Sequence, residues 1–152
     1  MQLTSRERIL KAVRHEEVDR LPIDLGGTDV SSIAIGPYRK LCEALAIEAQ
    51  PYHIVDISQQ IVVVDDRVAD RLGTDAKVIW HLPDEWRDDC AYDQTPVKYP
   101  AKFKPLTLAR GDKVVLDKDG QAYMRMPAGG FYYDICKHPL KDVQEIKDLD
   151  RY

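Results

Sequence analysis

The stretch DRLPIDLGGTDVSSIAIGPYRKL, residues 19–41, decides the fold predicted for this chain. It opens with a short apolar run in which Pro22 stands near the start, where a strand tolerates the missing N–H. Two glycines follow, which permit a positive φ or a close approach of the backbone to a ligand. A proline in the next segment suits the first turn of an amphipathic helix. We therefore predict a strand at about residues 21–25, a glycine turn and a helix.

The composition indicates an ordinary globular domain. The chain has 152 residues, of which 44% are apolar, enough to build a core, and 32% are charged. Its 22 basic and 26 acidic residues are mixed, without a basic run that would predict binding to nucleic acid. Charges interrupt every apolar run near the N-terminus, so we predict no signal peptide, no membrane span and a cytoplasmic location. The three cysteines include no C-x-x-C pair, which favours free thiols.

Local signals predict three helices. The first spans about residues 5–15, because Thr4 and Glu7 have the spacing of a capping box before an apolar face. The second contains GPYRKLCEAL, in which Tyr38, Leu41 and Leu45 recur at helical spacing. The third contains VADRL and ends at Gly73.

The rest of the chain predicts strands and loops. DAKVIW predicts a strand at Ala76–Trp80, and prolines and charges predict a loop region at residues 83–111, with short pieces of secondary structure at best. Residues 112–137 predict a β-hairpin turning at Asp119-Gly120, with a type I′ turn, followed by another strand. Residues 138–152 predict the start of a helix or a linker. Helices alternating with strands before a hairpin indicate an α/β domain with an antiparallel insertion.

Four segments in order resemble the N-terminal part of the uroporphyrinogen decarboxylase (URO-D) superfamily, and most closely its corrinoid-dependent methyltransferase-like branch. They are TSRERILKAVRHEEVDRLPIDLGG, GPYRKLCEAL, VDISQQIVVVDDRVADRLGTDAKVI and QAYMRMPAGGFYYDICKHPL. The resemblance implies the N-terminal portion of a (β/α)8 TIM-type barrel with an inserted β-hairpin. Such a barrel needs about 250 residues, so residues 1–152 are expected to be one incomplete domain, with the first strands in residues 1–82.

Two departures from the decarboxylase pattern favour methyl transfer. Decarboxylases of this superfamily carry an R-Q-A-G-R turn after the first strand, whose guanidinium groups pair with substrate carboxylates. Residues 25–29 of this chain, LGGTD, contain no arginine. The family's F-S-D-I aspartate also has no counterpart, because Leu82 stands at its position.

The methyltransferase branch implies a zinc ion and a corrinoid for the intact protein. The zinc ligands, an H-x-C motif and a later cysteine, belong to a C-terminal half that this chain does not match. Cys136 and His138 offer two ligands in the reverse order, too few for a structural zinc site. We therefore predict no metal and no cofactor bound within this chain, and a corrinoid carried by a partner protein.

Seven residues are candidates for the site. His81 and Asp24 are the catalytic candidates, because each lies at the end of or within a predicted barrel strand, where acid–base groups of such barrels stand. The substrate-binding candidates are the polar or conformationally special residues of the same region and of the hairpin: Gly26, Gly27, Asp56, Gln59 and Arg125. A purely structural role remains open for each of them.

Three functions remain open. The first is the N-terminal segment of a URO-D-like methyltransferase, moving a methyl group between a small methylated compound or corrinoid protein and an acceptor. The second is decarboxylation of the uroporphyrinogen type. The third is a non-catalytic half-barrel module, whose open strand edges a second copy or a partner chain would cover. The intact family member would be an enzyme, whereas activity of this chain alone is left open.

Overall fold

The computed structural model describes residues 2–138, 140 and 143–151. They belong to two compact units, Met1–Lys102 and Phe103–Tyr152, which we call the first and the second unit. Each unit has its own four-stranded sheet, and each is described by itself.

The first unit combines three helices with a mixed sheet. The helices are α1 (Ser5–Val13), α2 (Ile35–Leu45) and α3 (Asp66–Leu72), and the strands are β1 (Tyr52–Asp56), β2 (Ile61–Val62), β3 (Trp86–Cys90) and β4 (Pro96–Pro100). The strand order is β2-β1-β4-β3. β1 is parallel to β4, whereas the β1–β2 and β3–β4 pairs are antiparallel.

The helix termini follow the local signals in the sequence. The Thr4 hydroxyl accepts from the backbone N–H of Glu7 at 3.3 Å, and the Glu7 carboxylate accepts from the backbone N–H of Thr4 at 2.9 Å. This capping box begins α1 as predicted. Gly73 ends α3 with a φ of +66°, the left-handed conformation that glycine adopts without strain.

The core of the first unit lies between the helices and the sheet. The Tyr38 and Tyr52 rings meet edge to face, with centroids 5.9 Å apart. Apolar side chains surround them, buried from α2, β1, β2 and α3: Ile35, Cys42, Ile54, Val62 and Val68. The apolar face predicted for the second helix therefore packs inward, as its 3–4 spacing indicates.

The second unit is an antiparallel sheet. Its strands are β5 (Leu106–Thr107), β6 (Lys113–Leu116), β7 (Ala122–Met126) and β8 (Asp134–Ile135), in the order β5-β6-β7-β8. The predicted hairpin is formed by β6 and β7. Its turn, closed by the Gly120 N–H donating to the Asp117 carbonyl at 3.1 Å, is not type I′, because neither central residue, Lys118 or Asp119, has a positive φ.

The predicted fold class is wrong. The described residues form two mostly antiparallel four-stranded sheets with three short α-helices, not the N-terminal portion of a (β/α)8 barrel. A barrel of that kind requires successive parallel strands, each followed by a helix. Here β1 and β4 are the parallel pair among the described strands, and the other pairs are antiparallel.

The two strands on which the barrel prediction depended are not formed. Residues 21–25 and 76–80 have no strand assignment. Asp75 takes the place of a strand partner, because its carboxylate accepts from the N–H of Ile23 at 3.0 Å and its own N–H donates to the Ile23 carbonyl at 2.7 Å. A side chain thus satisfies a backbone group that a neighbouring strand would otherwise bind.

The region at residues 83–111, predicted as a loop with short pieces at best, contains β3, β4 and β5. The prolines that suggested a loop are the first and last residues of β4, Pro96 and Pro100, where a strand tolerates them. A turn closed by Ala91 N–H donating to the Thr95 carbonyl at 2.9 Å joins β3 to β4.

At the C-terminal end, residues 146–151 form a 3₁₀-helix, and residues 139, 141, 142 and 152 of the predicted helix or linker lie outside the described residues.

No helix in the described part of the chain is long and apolar enough to cross a membrane.

Candidate functional site

A cleft of about 570 Å³ opens in the first unit, a volume in the range of small-molecule sites, about 300–1,000 Å³. Its wall consists of Val55, residues 80–85 and residues 100–102. We call it the His81 cleft, because His81 is the one predicted catalytic residue in its wall.

The sheet explains why the cleft forms at this edge. β1 and β4 are parallel, so their carboxyl ends, with Val55 and Pro100, meet at the same edge. β3 runs the opposite way and begins at that edge with Trp86, which pairs with Pro100. The Ala101 N–H donates to the Glu85 carbonyl at 2.9 Å and extends this pairing by one residue. The segment before β3 and the segment after β4 therefore lie side by side.

Most of the wall is apolar. Trp80, Leu82 and Pro83 come from the segment before β3, and Val55 and Pro100 come from the strand ends. The two prolines have a fixed φ and no N–H, so they present rigid apolar surface. Such a wall with few polar groups is typical of small-molecule sites.

Four polar side chains complete the wall: His81, Asp84, Glu85 and Lys102. All four are exposed to solvent. Within residues 2–138, 140 and 143–151, no ion pair involves Asp84, Glu85 or Lys102. Sequence reasoning predicted His81 and missed the other three, because it assigned residues 83–111 to a loop. Had the antiparallel pairing of DEWRDDC with PVKYP been predicted, it would have placed these three residues at the same edge of the sheet.

Gly26 lines a second, smaller cavity of about 130 Å³, together with Val64, Ala76 and Trp80. Its φ is +85°, and an added Cβ would lie 2.8 Å from a Val64 methyl carbon. Both the conformation and the space therefore require glycine here. Trp80 lines this cavity and the His81 cleft, so the glycine turn and the cleft adjoin the same aromatic residue.

Asp24 and Gly27 form a closed turn rather than a catalytic pair. The Asp24 carboxylate accepts from the Gly27 N–H at 2.7 Å. An added Cβ on Gly27 would lie 2.3 Å from that carboxylate oxygen and 2.8 Å from the Ala76 methyl. Neither residue lines either of the two cavities. Asp24 thus holds the turn, an Asx-type role common in loops.

Asp56 ends β1, and Gln59 lies in the turn between β1 and β2. The Asp56 carboxylate accepts from the backbone N–H of Ser58 at 2.7 Å, and from the backbone N–H and the side-chain amide of Gln59 at 3.3 and 3.4 Å. These bonds stabilise the turn, and neither residue belongs to the wall of the His81 cleft.

Arg125 belongs to β7 of the second unit, where it pairs with Asp112. The other Asp112 oxygen accepts from the Ala128 N–H at 2.8 Å. The Ala128 N–H and the Arg125 guanidinium hold the pKa of the largely buried Asp112 below its ordinary value, and the pKa of Arg125 is raised in return. Its guanidinium therefore joins β7 to the residue before β6, that is, the two arms of the hairpin.

An ionic cluster around two buried side chains, which sequence reasoning missed, ties α1 to the following segment. The Arg8 guanidinium binds both oxygens of Asp19, at 2.7 and 2.9 Å, and one oxygen of Asp75. Arg20 donates to the other Asp75 oxygen at 2.7 Å. The side chains of Arg8 and Asp75 are 3% and 0% exposed. We call Arg8, Asp19, Arg20 and Asp75 the Asp75 cluster.

Hydrogen bonds decide the charge state of this cluster. Burial by itself would raise the pKa of Asp75, but donation from the Ile23 N–H, Arg20 and Arg8 lowers the pKa below its ordinary value. The pKa of Asp19 is lowered chiefly by its bond to Arg8. Both carboxylates are therefore ionised and paired, which indicates a structural cluster.

In the part of the chain that the structure describes, no three His, Cys, Asp or Glu side chains lie close enough together to hold a metal ion. Cys136 is exposed, and its thiol lies 3.7 Å from the Asp134 carbonyl. The residues present thus do not fit the zinc site of the methyltransferase branch.

Comparison of the chain with protein-family models, with curated proteins and with solved structures found no match.

Proposed function

We propose that this chain is a segment of a URO-D-like methyltransferase and binds the small methylated compound in the His81 cleft. The observation that carries the proposal is the cleft itself, whose wall combines six apolar residues with one imidazole and three charged side chains. The four sequence segments that resemble the methyltransferase-like branch also support it.

The charge of the cleft supports methyl transfer over porphyrinogen decarboxylation. A porphyrinogen carries several carboxylates, and sites for such substrates use arginine pairs. The wall of the His81 cleft contains Asp84 and Glu85 against one cation, Lys102, and no arginine. A polyanionic substrate would meet a net repulsion there.

His81 is the proton-transfer group in this proposal. When the methyl group leaves an oxygen or sulfur atom of the bound compound for the corrinoid, that atom gains a proton, and a protonated imidazole in reach supplies it. The apolar wall from Trp80 to Pro83 excludes water from the methyl group. The corrinoid, held by a partner protein, would supply or accept the methyl group, since a cleft of this volume suits a small molecule better than a corrin macrocycle. No step of the proposal depends on zinc.

Methyl transfer to free cob(I)alamin tests the proposal. The chain is mixed with cob(I)alamin and a panel of small methylated donors, and formation of methylcobalamin is followed by its absorption spectrum. We expect turnover with at least one donor, reduced about 10²-fold or more in His81→Asn. His15→Asn is the matched control, because His15 is exposed and follows α1, outside the wall of the cleft. Equal rates in wild type and His81→Asn would contradict the role of His81.

A second function, a non-catalytic assembly module, has one observation in its favour. Three large apolar side chains of the first unit are almost fully exposed, namely Leu21 (81%), Val30 (97%) and Ile79 (98%). Exposed apolar side chains that form one continuous patch are typical of surfaces that contact another chain, so this function requires the three side chains to act as one surface. Analytical ultracentrifugation of wild type and Ile79→Lys tests this function. A dimer that Ile79→Lys dissociates would favour it, and a monomer at all concentrations would exclude self-assembly.

A further inference from the structure

We infer that strand β3 pairs, antiparallel and in one register, with β3 of a second copy of this chain. None of the β3 residues lines the His81 cleft, so this pairing does not depend on the methyl-transfer proposal. Two properties of the strand lead to it: unbound backbone groups along its outer edge, and a charge pattern that is complementary to itself.

The outer edge of β3 has backbone groups without a partner. β3 stands at the end of the order β2-β1-β4-β3, so one of its edges faces away from β4. The Ala91 N–H donates to the Thr95 carbonyl, which shows that the odd-numbered residues of this segment bond to β4. The N–H and C=O groups of Trp86 and Asp88 therefore point outward, and no other residue in the described part of the chain binds them. Such an edge is a template for pairing with another strand.

The charges of β3 match a second copy in one register. When Asp88 lies opposite Asp88 of the second copy, Arg87 lies opposite Asp89 of that copy. Arg87 and Asp89 bond to β4 through their own backbone, so they form a non-hydrogen-bonded pair across the new edge, with Cα atoms about 4.5 Å apart. Opposite charges at such a position stabilise two paired strands.

The neighbouring registers are unfavourable. A shift of two residues in one direction places Arg87 opposite Arg87 of the second copy, and a shift in the other direction places Asp89 opposite Asp89. Like charges directly opposite each other destabilise a strand pair. A shift of one residue would turn the outward backbone groups away from each other. The sequence of β3 therefore selects the register centred on Asp88.

The two side chains that face the second copy are held in place. Arg87 pairs with Asp89 of its own chain at 2.6 Å, and its guanidinium lies 5.8 Å from the centroid of the Tyr99 ring. The side chains of Arg87 and Asp89 are 28% and 33% exposed, so solvent screens them less than a fully exposed pair. In the dimer, the two arginines and two aspartates would form one network of alternating charge.

The dimer is expected to be weak. Two N–H groups from each copy, those of Trp86 and Asp88, donate across the edge, whereas the Cys90 N–H already donates to the Asp89 carboxylate at 2.8 Å. Asp88 also meets Asp88 of the second copy, although each pairs with its own Lys98 at 2.7 Å. We therefore expect monomers below about 10 μM and dimers towards about 1 mM, as is typical of small interfaces.

Exchanging the two charges between copies tests the pairing. Arg87→Glu and Asp89→Arg each place like charges opposite each other in a homodimer, so each variant alone should dimerise about 10-fold or more weakly in analytical ultracentrifugation of the full chain. An equimolar mixture should recover the dimer, because each variant then faces the opposite charge. Mixing does not repair a defect within either chain, so recovery requires contact between copies. A wild type that is monomeric up to about 1 mM, or a mixture no more dimeric than the single variants, would overturn the inference.

A disulfide at the centre of the pairing tests the register. The Cα atoms of a hydrogen-bonded antiparallel pair lie about 5.5 Å apart, within reach of a disulfide. In chains that also carry Cys90→Ser and Cys136→Ser, Asp88→Cys should crosslink two copies under mild oxidation. Asp70→Cys, exposed on α3, is the matched control and should crosslink about 10-fold less. Equal crosslinking of the two variants would overturn the inference.

Ile79→Lys separates this dimer from association through the exposed apolar side chains. We expect Ile79→Lys to dimerise as wild type does and Arg87→Glu to dissociate. Loss of the dimer in Ile79→Lys, with the dimer retained in Arg87→Glu, would overturn the β3 pairing and favour the apolar surface.

Discussion

Two groups of charged side chains in the first unit differ in how their charges are paired. In the Asp75 cluster each charge has a partner of opposite sign, and the Asp75 side chain is fully buried. In the His81 cleft the charged side chains are exposed, and no ion pair with a described residue involves Asp84, Glu85 or Lys102. Burying a charge without a partner is strongly unfavourable, so the buried charges are paired and stabilise the fold. The exposed charges of the cleft have no such partner and are available to a ligand.

The largest effect expected is from Asp75→Ala. It leaves the buried Arg8 guanidinium without one of its partners and the Ile23 N–H without an acceptor. We expect the Tm to fall by on the order of 10 °C, since breaking a buried pair is strongly destabilising. The control is Asp88→Ala, which breaks the exposed pair of Asp88, whose side chain is 88% exposed, with Lys98. This control should shift the Tm by at most about 2 °C, and an equal shift in both variants would remove the distinction between the two groups.

Acid should act on the same cluster. The pKa values of Asp19 and Asp75 are lower in the folded chain than in the unfolded chain, so the unfolded chain binds more protons as the pH falls. Their contribution to stability is present above about pH 4 and is lost as the pH falls further. Asp19→Asn should therefore show a smaller fall of Tm below about pH 4 than wild type. A fall as steep as that of wild type would show that other carboxylates dominate acid unfolding.

His53 affects stability in a second pH range, separate from the range in which Asp19 and Asp75 are protonated. Burial, together with the nearby Lys98, lowers the pKa of His53 in the folded chain. The unfolded chain then binds the proton more readily than the folded chain. The free energy of unfolding therefore decreases as the pH falls through about 6.5, well above the pH range in which the aspartates act.

A smaller effect is expected at the glycine turn. Gly27→Ala would place a Cβ 2.3 Å from the Asp24 carboxylate and 2.8 Å from the Ala76 methyl. We expect a loss of about 1–3 kcal/mol in the free energy of unfolding, measured with urea. Adding Asp24→Ala to Gly27→Ala tests the cause, because removal of the carboxylate should recover part of the loss. If nothing is recovered, the contact with Ala76 is the dominant one.

The smallest effect on stability is expected in the His81 cleft. Glu85→Gln and Asp84→Asn should change the free energy of unfolding by less than about 0.5 kcal/mol, because both side chains are exposed and neither pairs with a described residue. Urea titrations of wild type and of both variants measure this change. A loss of stability as large as that of Gly27→Ala would assign these residues to the fold.

The candidate site was predictable only in part. His81 lines the cleft, and Gly26 lines the smaller cavity that also adjoins Trp80. Two of the seven predicted residues therefore lie in the walls of the two cavities. Asp24, Gly27, Asp56 and Gln59 instead stabilise turns through hydrogen bonds within three residues. A polar residue in an apolar run needs a partner, and sequence alone does not show whether that partner is a ligand or the nearest backbone N–H.

By itself the sequence determined the elements whose causes are local. The capping box of Thr4 and Glu7, the left-handed Gly73 and the hairpin around Gly120 depend on residues a few positions apart, and all three are found as hydrogen bonds or dihedral angles. Only the tertiary structure decided whether residues 21–25 and 76–80 become strands. A strand exists only when a neighbour binds its N–H and C=O groups. Here Asp75, about 50 positions along the chain from Ile23, provides that bond with its side chain.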